Sequence, residues 1–111
     1  PGQELTIDSE HRLEFGESVH LERLEYGFSY VAIAVGDARC GQLEVARQEV
    51  GWPTEKANTV ESKSGVSTAT LEWEQKRTGS CSVDISRSYV EGLSSYMELL
   101  VLKISPPPTH R

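Results

Sequence analysis

Apolar and polar residues alternate in short segments along most of this chain, and this alternation constrains the fold more than any other sequence feature. The clearest segment runs from Cys81 to Ile85, where every second residue is apolar. Residues 66–73 follow the same pattern, and the polar, glycine-containing segment between the two predicts a hairpin turn. Successive side chains of a strand point to opposite faces of a sheet, so a period of two predicts β-strands with one buried face.

Two longer apolar segments predict strands inside a sheet. Residues 28–35 are apolar on both faces, which is typical of a central strand that is covered on both sides. Residues 96–104 are almost wholly apolar and end before Pro106, which favours a final strand. A helix is the alternative there, because Ser95 and Glu98 have the spacing of a capping box.

Residues 42–50 fit two kinds of secondary structure. Leu43, Ala46 and Val50 have helical spacing, and the glycine and proline that follow are typical of a helix end. Leu43 and Val45 also alternate as they would in a strand. A short helix and a strand therefore both remain open for this segment.

The predicted fold is one all-β domain, an antiparallel sandwich or small barrel of about seven strands with at most one short helix. The chain has 111 residues, of which 37% are hydrophobic, so it can bury one modest core. We expect residues 1–105 to form the domain and residues 106–111 an extended proline-rich tail. An α+β fold with helices at 42–50 and 96–104 is the alternative. The predicted core comprises Val31, Ile33, Leu71, Trp73, Val83, Ile85, Leu100 and Leu102.

The chain has two cysteines, Cys40 and Cys81, and no C-x-x-C pair, which excludes a zinc or dithiol site of ordinary spacing. Cys40 follows one predicted strand and Cys81 begins another, so both can reach the interior. We predict a disulfide between them, with two free thiols as the alternative. A disulfide indicates an oxidising compartment, and we therefore expect an extracytoplasmic protein, secreted, periplasmic or lipid-anchored, while a cytoplasmic location stays open. No apolar leader follows Pro1 and Gly2, which fits a mature or trimmed chain as well as it fits a cytosolic protein.

The net charge is −6, and all of the excess negative charge lies in residues 1–56, which hold 11 acidic and 5 basic residues. This charge argues against nucleic acid as a partner. No apolar run approaches the about 20 residues of a transmembrane helix. We expect Glu14, Glu17 and Glu22 to face solvent. There they either keep the protein soluble or steer a basic partner towards it.

No motif for a catalytic nucleophile, a nucleotide or a metal is present in the sequence. A histidine beside carboxylates, such as His20 beside Glu22, is more often a solvent-facing strand residue than a metal ligand. We therefore expect no catalytic, cofactor-binding or metal-binding residues.

Residues in the predicted loops are the candidates for binding. Trp52 precedes Pro53 in a polar loop, and Tyr89 lies in a serine-rich loop. Tryptophan and tyrosine side chains in loops often anchor protein interfaces. Arg39 follows the central strand and is a candidate for a recognition loop, although an ion pair with Asp37 is the simpler interpretation.

Parts of the sequence resemble a group of small bacterial secreted or lipoprotein-type domains. The resemblance lies in residues 15–21 (FGESVHL), 30–32 (YVA), 37–40 (DARC) and the last strand with its prolines. In that group an Asp-Ser-Arg-Cys-Pro segment follows a core strand, and here Gly41 stands in place of the proline. The resemblance implies an extracytoplasmic β-sandwich and assigns a function to no residue.

The function that these features favour is a non-catalytic extracytoplasmic binding or structural module that recognises a protein or other macromolecule. A secreted or periplasmic inhibitor of a basic hydrolase, such as a lysozyme or a protease, is the first alternative, because a loop of a small acidic domain can block such an enzyme. A small enzyme is the second. The expected partner is a protein of basic character, and the oligomeric state stays open.

Overall fold

The computed structural model describes residues 3–13, 18–37, 43–58, 61–63, 66–87 and 97–107. This part of the chain forms strands and turns and no helix, which confirms the all-β prediction. Nine strands are defined within it. They are β1 Leu5–Leu13, β2 Ser18–Leu24, β3 Ser29–Asp37, β4 Leu43–Gln48, β5 Glu55–Asn58, β6 Glu61–Lys63, β7 Val66–Glu74, β8 Gly79–Arg87 and β9 Met97–Ile104.

The strands form two antiparallel sheets that pack face to face as a sandwich. One sheet has five strands in the order β1-β9-β3-β7-β6, and the other has four in the order β2-β8-β4-β5. β3 lies at the centre of the first sheet, between β9 and β7, as its apolar sequence predicts. β4 and β5 of the second sheet contact β7 of the first. The strands β5 and β7 therefore face each other at one side of the sandwich.

The core lies between the two sheets, and β3, β4, β7, β8 and β9 contribute residues two positions apart to it. Tyr30 of β3 stacks on Trp73 of β7, with ring centroids 5.6 Å apart. Ala32 and Ala34 follow Tyr30 on the same face and are fully buried. The other buried hydrophobic residues are Leu13, Val19, Leu21, Leu24, Leu43, Val45, Ala46, Ala69, Leu71, Cys81, Val83, Ile85, Met97, Leu99 and Val101.

The short helix that was one alternative for residues 42–50 is wrong, because residues 43–48 form strand β4. The chain here is extended and pairs with β8 on one side and β5 on the other. Leu43 and Val45 are buried, whereas Val50 is 90% exposed and shares no face with them. The helical alternative for residues 96–104 is wrong as well, because residues 97–104 form strand β9. The count of strands exceeds the predicted seven because β5 and β6 form in the polar segment between Trp52 and Gly65.

The predicted core is correct in β7 and β8 and wrong in β3 and β9. Leu71, Trp73, Val83 and Ile85 are buried as predicted. The residues predicted in β3 and β9, namely Val31, Ile33, Leu100 and Leu102, lie on the outer face of the five-stranded sheet and are half-buried. Both faces of these two strands are apolar, and the inner face is the one that carries Tyr30, because its ring packs against Trp73.

The disulfide that the sequence predicts between Cys40 and Cys81 is not seen in the structure. Cys81 is a free thiol and is buried on the inner face of β8, while Cys40 lies outside the described residues. The tail is described as far as Pro107, and its first two prolines are exposed and outside any strand. The described part of the chain contains no helix that is long and apolar enough to cross a membrane.

The two faces of β9 offer a direct test of the sandwich. Leu99→Ala removes a side chain that is 1% exposed, so we expect it to lower the free energy of unfolding by about 2–5 kcal/mol. Leu100→Ala removes the same group from the outer face, and we expect a loss of about 1 kcal/mol or less. Urea unfolding of both variants measures the difference. Equal losses would show that the inner and outer faces of β9 are assigned wrongly.

Candidate functional site

A pocket of about 390 Å³ opens at the side of the sandwich where β5 faces β7. β6 pairs with residues 66–68 of β7 and reaches no further. Along the rest of β7, the edge away from β3 has no strand neighbour among the described residues, and this gap leaves room for the pocket. It is lined by Arg47, Glu49, Trp52, Pro53, Glu55, Trp73, Glu74 and Lys76.

Arg47 forms the floor of this pocket. It occupies the inward position that follows Leu43 and Val45 in the alternation of β4, and 7% of the residue is exposed. Burying a cation is unfavourable unless it is paired and hydrogen-bonded. Arg47 donates from Nε to Oε1 of Glu55 at 3.1 Å and from Nη1 to Oε1 of Glu49 at 3.0 Å. Its guanidinium also lies over the ring of Trp73, 5.0 Å from the ring centre.

Glu49 is the acceptor that joins the groups around the pocket. Its side chain is 5% exposed and accepts hydrogen bonds from three residues. Arg47 and Gln75 both donate to Oε1, each at 3.0 Å, and Arg77 donates from Nε to Oε2 at 2.8 Å. Both carboxylate oxygens are therefore engaged, and this one side chain fixes β4 to the turn between β7 and β8.

Gln75 connects this carboxylate to the aromatic core. It is 1% exposed, and its side-chain oxygen accepts a hydrogen bond from Nε1 of Trp73 at 2.9 Å. Its side-chain nitrogen donates to Glu49 and to the carbonyl oxygen of Arg77. Its backbone exchanges hydrogen bonds with Gly27 and Phe28. A buried glutamine that uses both ends of its amide leaves no polar atom of that amide unsatisfied.

The turn between β4 and β5 presents Trp52 at the mouth of the pocket. Gly51 has a φ of +89°, a left-handed conformation that glycine adopts without strain. The backbone N–H of Trp52 donates to the carbonyl oxygen of Glu49 at 3.0 Å and closes the turn. Arg77 donates to the carbonyl oxygen of Val50 and lies 5.8 Å from the centre of the Trp52 ring. Trp52 remains 44% exposed on this fixed turn.

The ionisation of the buried groups reflects these contacts. Burial alone would raise the pKa of Glu49, but the hydrogen bonds from Arg77, Gln75 and Arg47 outweigh it and lower the pKa below its ordinary value of 4.5. Burial would likewise lower the pKa of Arg47, and the hydrogen bonds and charge of Glu55 raise it instead. Both groups are therefore charged at neutral pH. Burial raises the pKa of the Cys81 thiol to about 11, although the Arg47 charge opposes this.

Two of the six interaction residues predicted from the sequence, Trp52 and Glu22, lie in the described part of the chain. Trp52 lines the pocket, and its role as an interface anchor stays a prediction. Glu22 is exposed on β2, where its carboxylate is 3.7 Å from Nε2 of His20. β2 and β5 are opposite edges of the four-stranded sheet, so Glu22 does not belong to the pocket. The others, Arg39, Tyr89, Glu14 and Glu17, lie outside the described residues, and their roles stay predictions.

Five residues that build the site were not predicted from the sequence: Arg47, Glu49, Glu55, Gln75 and Arg77. One signal was available for Arg47, because the alternation of Leu43 and Val45 continues to it and places a cation inward. Because residues 42–50 also fitted a helix, the inward position of Arg47 was not predicted. Nothing in the local sequence pairs Glu49 with Gln75, since these residues are 26 positions apart.

No group of three or more potential metal ligands comes together among the described residues. No protein-family model matches the chain, and no curated protein or solved structure is significantly similar to it. The resemblance to small bacterial secreted domains therefore rests on its short motifs alone.

Glu49→Gln tests the network through its pH dependence. At neutral pH we expect a loss of about 2–4 kcal/mol in the free energy of unfolding, because Arg47 and Arg77 lose a charged acceptor. In the wild type the pKa of Glu49 is lower in the folded than in the unfolded chain. Glu49 therefore makes its full contribution to the free energy of unfolding at pH values above its ordinary pKa. This contribution is lost as the pH falls through the pKa of Glu49 in the folded protein. Unfolding measured down to about pH 3 should therefore show a shallower acid loss in Glu49→Gln. Parallel pH profiles for the two proteins would contradict this.

The reactivity of Cys81 tests its burial. In a Cys40→Ser background, a thiol reagent at about pH 8 should leave the folded protein unmodified and should titrate one thiol in urea, because the buried thiol is protonated. In the wild type, unfolded without a reductant, we expect two titratable thiols. No titratable thiol there would restore the predicted disulfide, and rapid modification of the folded variant would contradict the burial of Cys81.

Proposed function

We propose that this protein is a non-catalytic binding module that anchors a protein partner at Trp52 and the adjoining pocket. The observation that carries the proposal is the exposure of Trp52 on a turn fixed by buried charges. A large aromatic side chain that is already ordered loses little conformational entropy on binding. Such residues dominate the energetics of many protein interfaces.

The exposed indole of Trp52 favours a partner that offers a basic side chain. Arg77 already lies over this ring, which is the contact that an incoming arginine or lysine would make with an indole. The charges of the pocket itself are balanced, because Glu49, Glu55 and Glu74 are paired with Arg47, Arg77 and Lys76. The net charge of −6 on the chain raises the rate of association with a basic partner.

The state of Glu49 supports a binding role over a catalytic one. A general acid at neutral pH needs a raised pKa, whereas the pKa of Glu49 is lowered. Its two oxygens already accept hydrogen bonds from three residues. We place the module outside the cytoplasm as a prediction from the resemblance. The disulfide argument for that location loses its basis, because Cys81 is a free thiol.

One observation favours inhibition of a basic hydrolase as a second candidate function. The β4–β5 turn carries Val50, which is 90% exposed, next to Trp52. Its base is tied down by Arg77 through Glu49 and the Val50 carbonyl. A rigid turn with an apolar tip has the form needed to enter the cleft of an enzyme. In this candidate function the same residues bind, and the partner is an enzyme.

Trp52→Ala tests the proposed function. A random peptide library selected on the wild-type protein, and counter-selected on Trp52→Ala, should yield peptides that contain lysine or arginine. We expect these peptides to bind Trp52→Ala at least about tenfold more weakly, the loss typical of a central interface residue. Tyr26→Ala is the matched control, because Tyr26 is an aromatic residue that is 69% exposed in a different turn.

Three outcomes would contradict the proposal. The first is that the selected peptides bind Trp52→Ala and Tyr26→Ala as tightly as they bind the wild type. The second is that the selection yields no peptide whose binding depends on Trp52. The third is that a glycan array reveals ligands that Trp52→Ala no longer binds while no peptide is found, which would make the pocket a carbohydrate site. Inhibition of a basic lysozyme that Trp52→Ala abolishes would favour the second candidate function.

A further inference from the structure

The outer side of the five-stranded sheet carries an apolar surface that the pocket does not use. We call it the outer apolar face and define it by Leu5, Ile7, Val31, Ile33, Leu100 and Leu102. The pairing places Ile7 beside Leu102, Leu102 beside Val31, and Leu100 beside Ile33, so these side chains adjoin across three strands. Leu5 and Ile7 are each 61% exposed, and the other four are half-buried. Among the described residues, none of the other sheet packs on this side.

Acidic residues border the outer apolar face. Glu72 lies beside Val31 in the pairing of β3 with β7, and Glu74 lies beside Ser29. Glu10 lies beside Leu100, and Glu98 lies beside Val35. All four are exposed. Among the described residues, Arg12 is paired in register with Glu98, and the ammonium of Lys76 lies 3.2 Å from the carboxylate of Glu74.

The size of the face limits what can cover it. Three strands spaced about 4.8 Å apart make it about 14 Å wide, and three rows of side chains make it about 20 Å long. An α-helix is about 10–12 Å across, and about 13 of its residues span 20 Å. One helix lying along the strands therefore fits between the acidic borders. A second sheet would be wider than the apolar stripe and would cover the carboxylates as well.

The area and the charge together decide the chemistry of the occupant. The apolar stripe measures roughly 300 Å², well below the about 800 Å² per partner of a stable interface. A stable partner must therefore also cover the border, and covering carboxylates without cations is unfavourable. A second copy of this chain would bring the same four glutamates to that border. A partner that carries lysine or arginine beside its apolar stripe would neutralise them.

We propose that the outer apolar face binds an amphipathic helix of a protein partner whose apolar stripe is flanked by lysine or arginine residues. The six aliphatic residues of this surface lie outside the Trp52 pocket, and the two surfaces adjoin at Glu74, which lines the pocket and belongs to the acidic border. The border carboxylates select the partner, and the six aliphatic residues hold it.

Two synthetic helix-forming peptides of about 18 residues test the proposal. Both carry leucines on one face, and the flanking residues are lysines in one peptide and glutamates in the other. Titration of the wild-type protein, followed by amide chemical shifts, should show the lysine peptide bound at least about tenfold more tightly than the glutamate peptide. The shifted amides should lie in β1, β3 and β9, and the affinity should fall with added salt.

Two variants separate the apolar contribution from the charged one. Ile7→Lys changes an exposed side chain of an edge strand and should weaken lysine-peptide binding about tenfold. Glu72→Lys leaves the apolar stripe intact and should reduce the preference for lysine over glutamate. Ser86→Lys is the charge-matched control for Ile7→Lys, because Ser86 is an exposed residue of β8 in the other sheet and belongs to neither proposed binding surface. It should bind within about twofold of the wild type.

Several results would overturn this proposal. Equal affinity for both peptides would show that the border carboxylates do not select the partner by charge. No binding of either peptide would show that the outer apolar face is not a helix-binding site. A wild-type dimer in sedimentation that Ile7→Lys converts to a monomer would assign the face to a second copy. Binding to phosphatidylcholine vesicles that Ile7→Lys abolishes would assign the face to a lipid surface.

Discussion

The buried guanidinium of Arg47 is the constraint on which the rest of the site depends. A cation between two sheets is stable only if acceptors surround it, and Glu49 and Glu55 fill this role from the ends of the β4–β5 turn. The same guanidinium lies over Trp73 of the opposite sheet, which in turn stacks on Tyr30. One charge therefore links β4, the turn and both layers of the sandwich at its open side.

This arrangement separates the stability of the protein from its binding surface. The groups that hold the turn, Glu49 and Gln75, are almost fully buried, whereas Trp52 and Val50 at its tip are exposed. Changes at the tip can therefore alter binding without exposing a buried charge. The outer apolar face lies on the far side of β3 from the core, so two surfaces of different chemistry are available on one small domain.

The sequence predicted the strands well because alternation is local information that survives folding. The segments 66–73 and 81–85 have one polar and one apolar face each, and their core residues were identified correctly. β3 and β9 are apolar on both sides, so the sequence alone did not determine which face turns inward. That choice depends on the contact of Tyr30 with Trp73, two residues 43 positions apart. The candidate site was likewise predictable only where the information is local. Trp52 could be predicted, because it is an aromatic residue in a loop. The buried partners beneath it meet through tertiary contacts that no local pattern records.

The most direct test of the central claim, that the Arg47–Glu49 pair stabilises the sandwich beneath the pocket, is a double-mutant cycle with Arg47→Met and Glu49→Gln. Methionine keeps the unbranched apolar stem and removes the charge, and glutamine keeps the shape of the glutamate. Urea unfolding of the wild type, both single variants and the double variant gives the coupling free energy between the two side chains. A stabilising coupling of about 1.5–3 kcal/mol is expected for a buried, hydrogen-bonded ion pair. A coupling below about 0.5 kcal/mol would contradict the claim, because the two charges would then act independently.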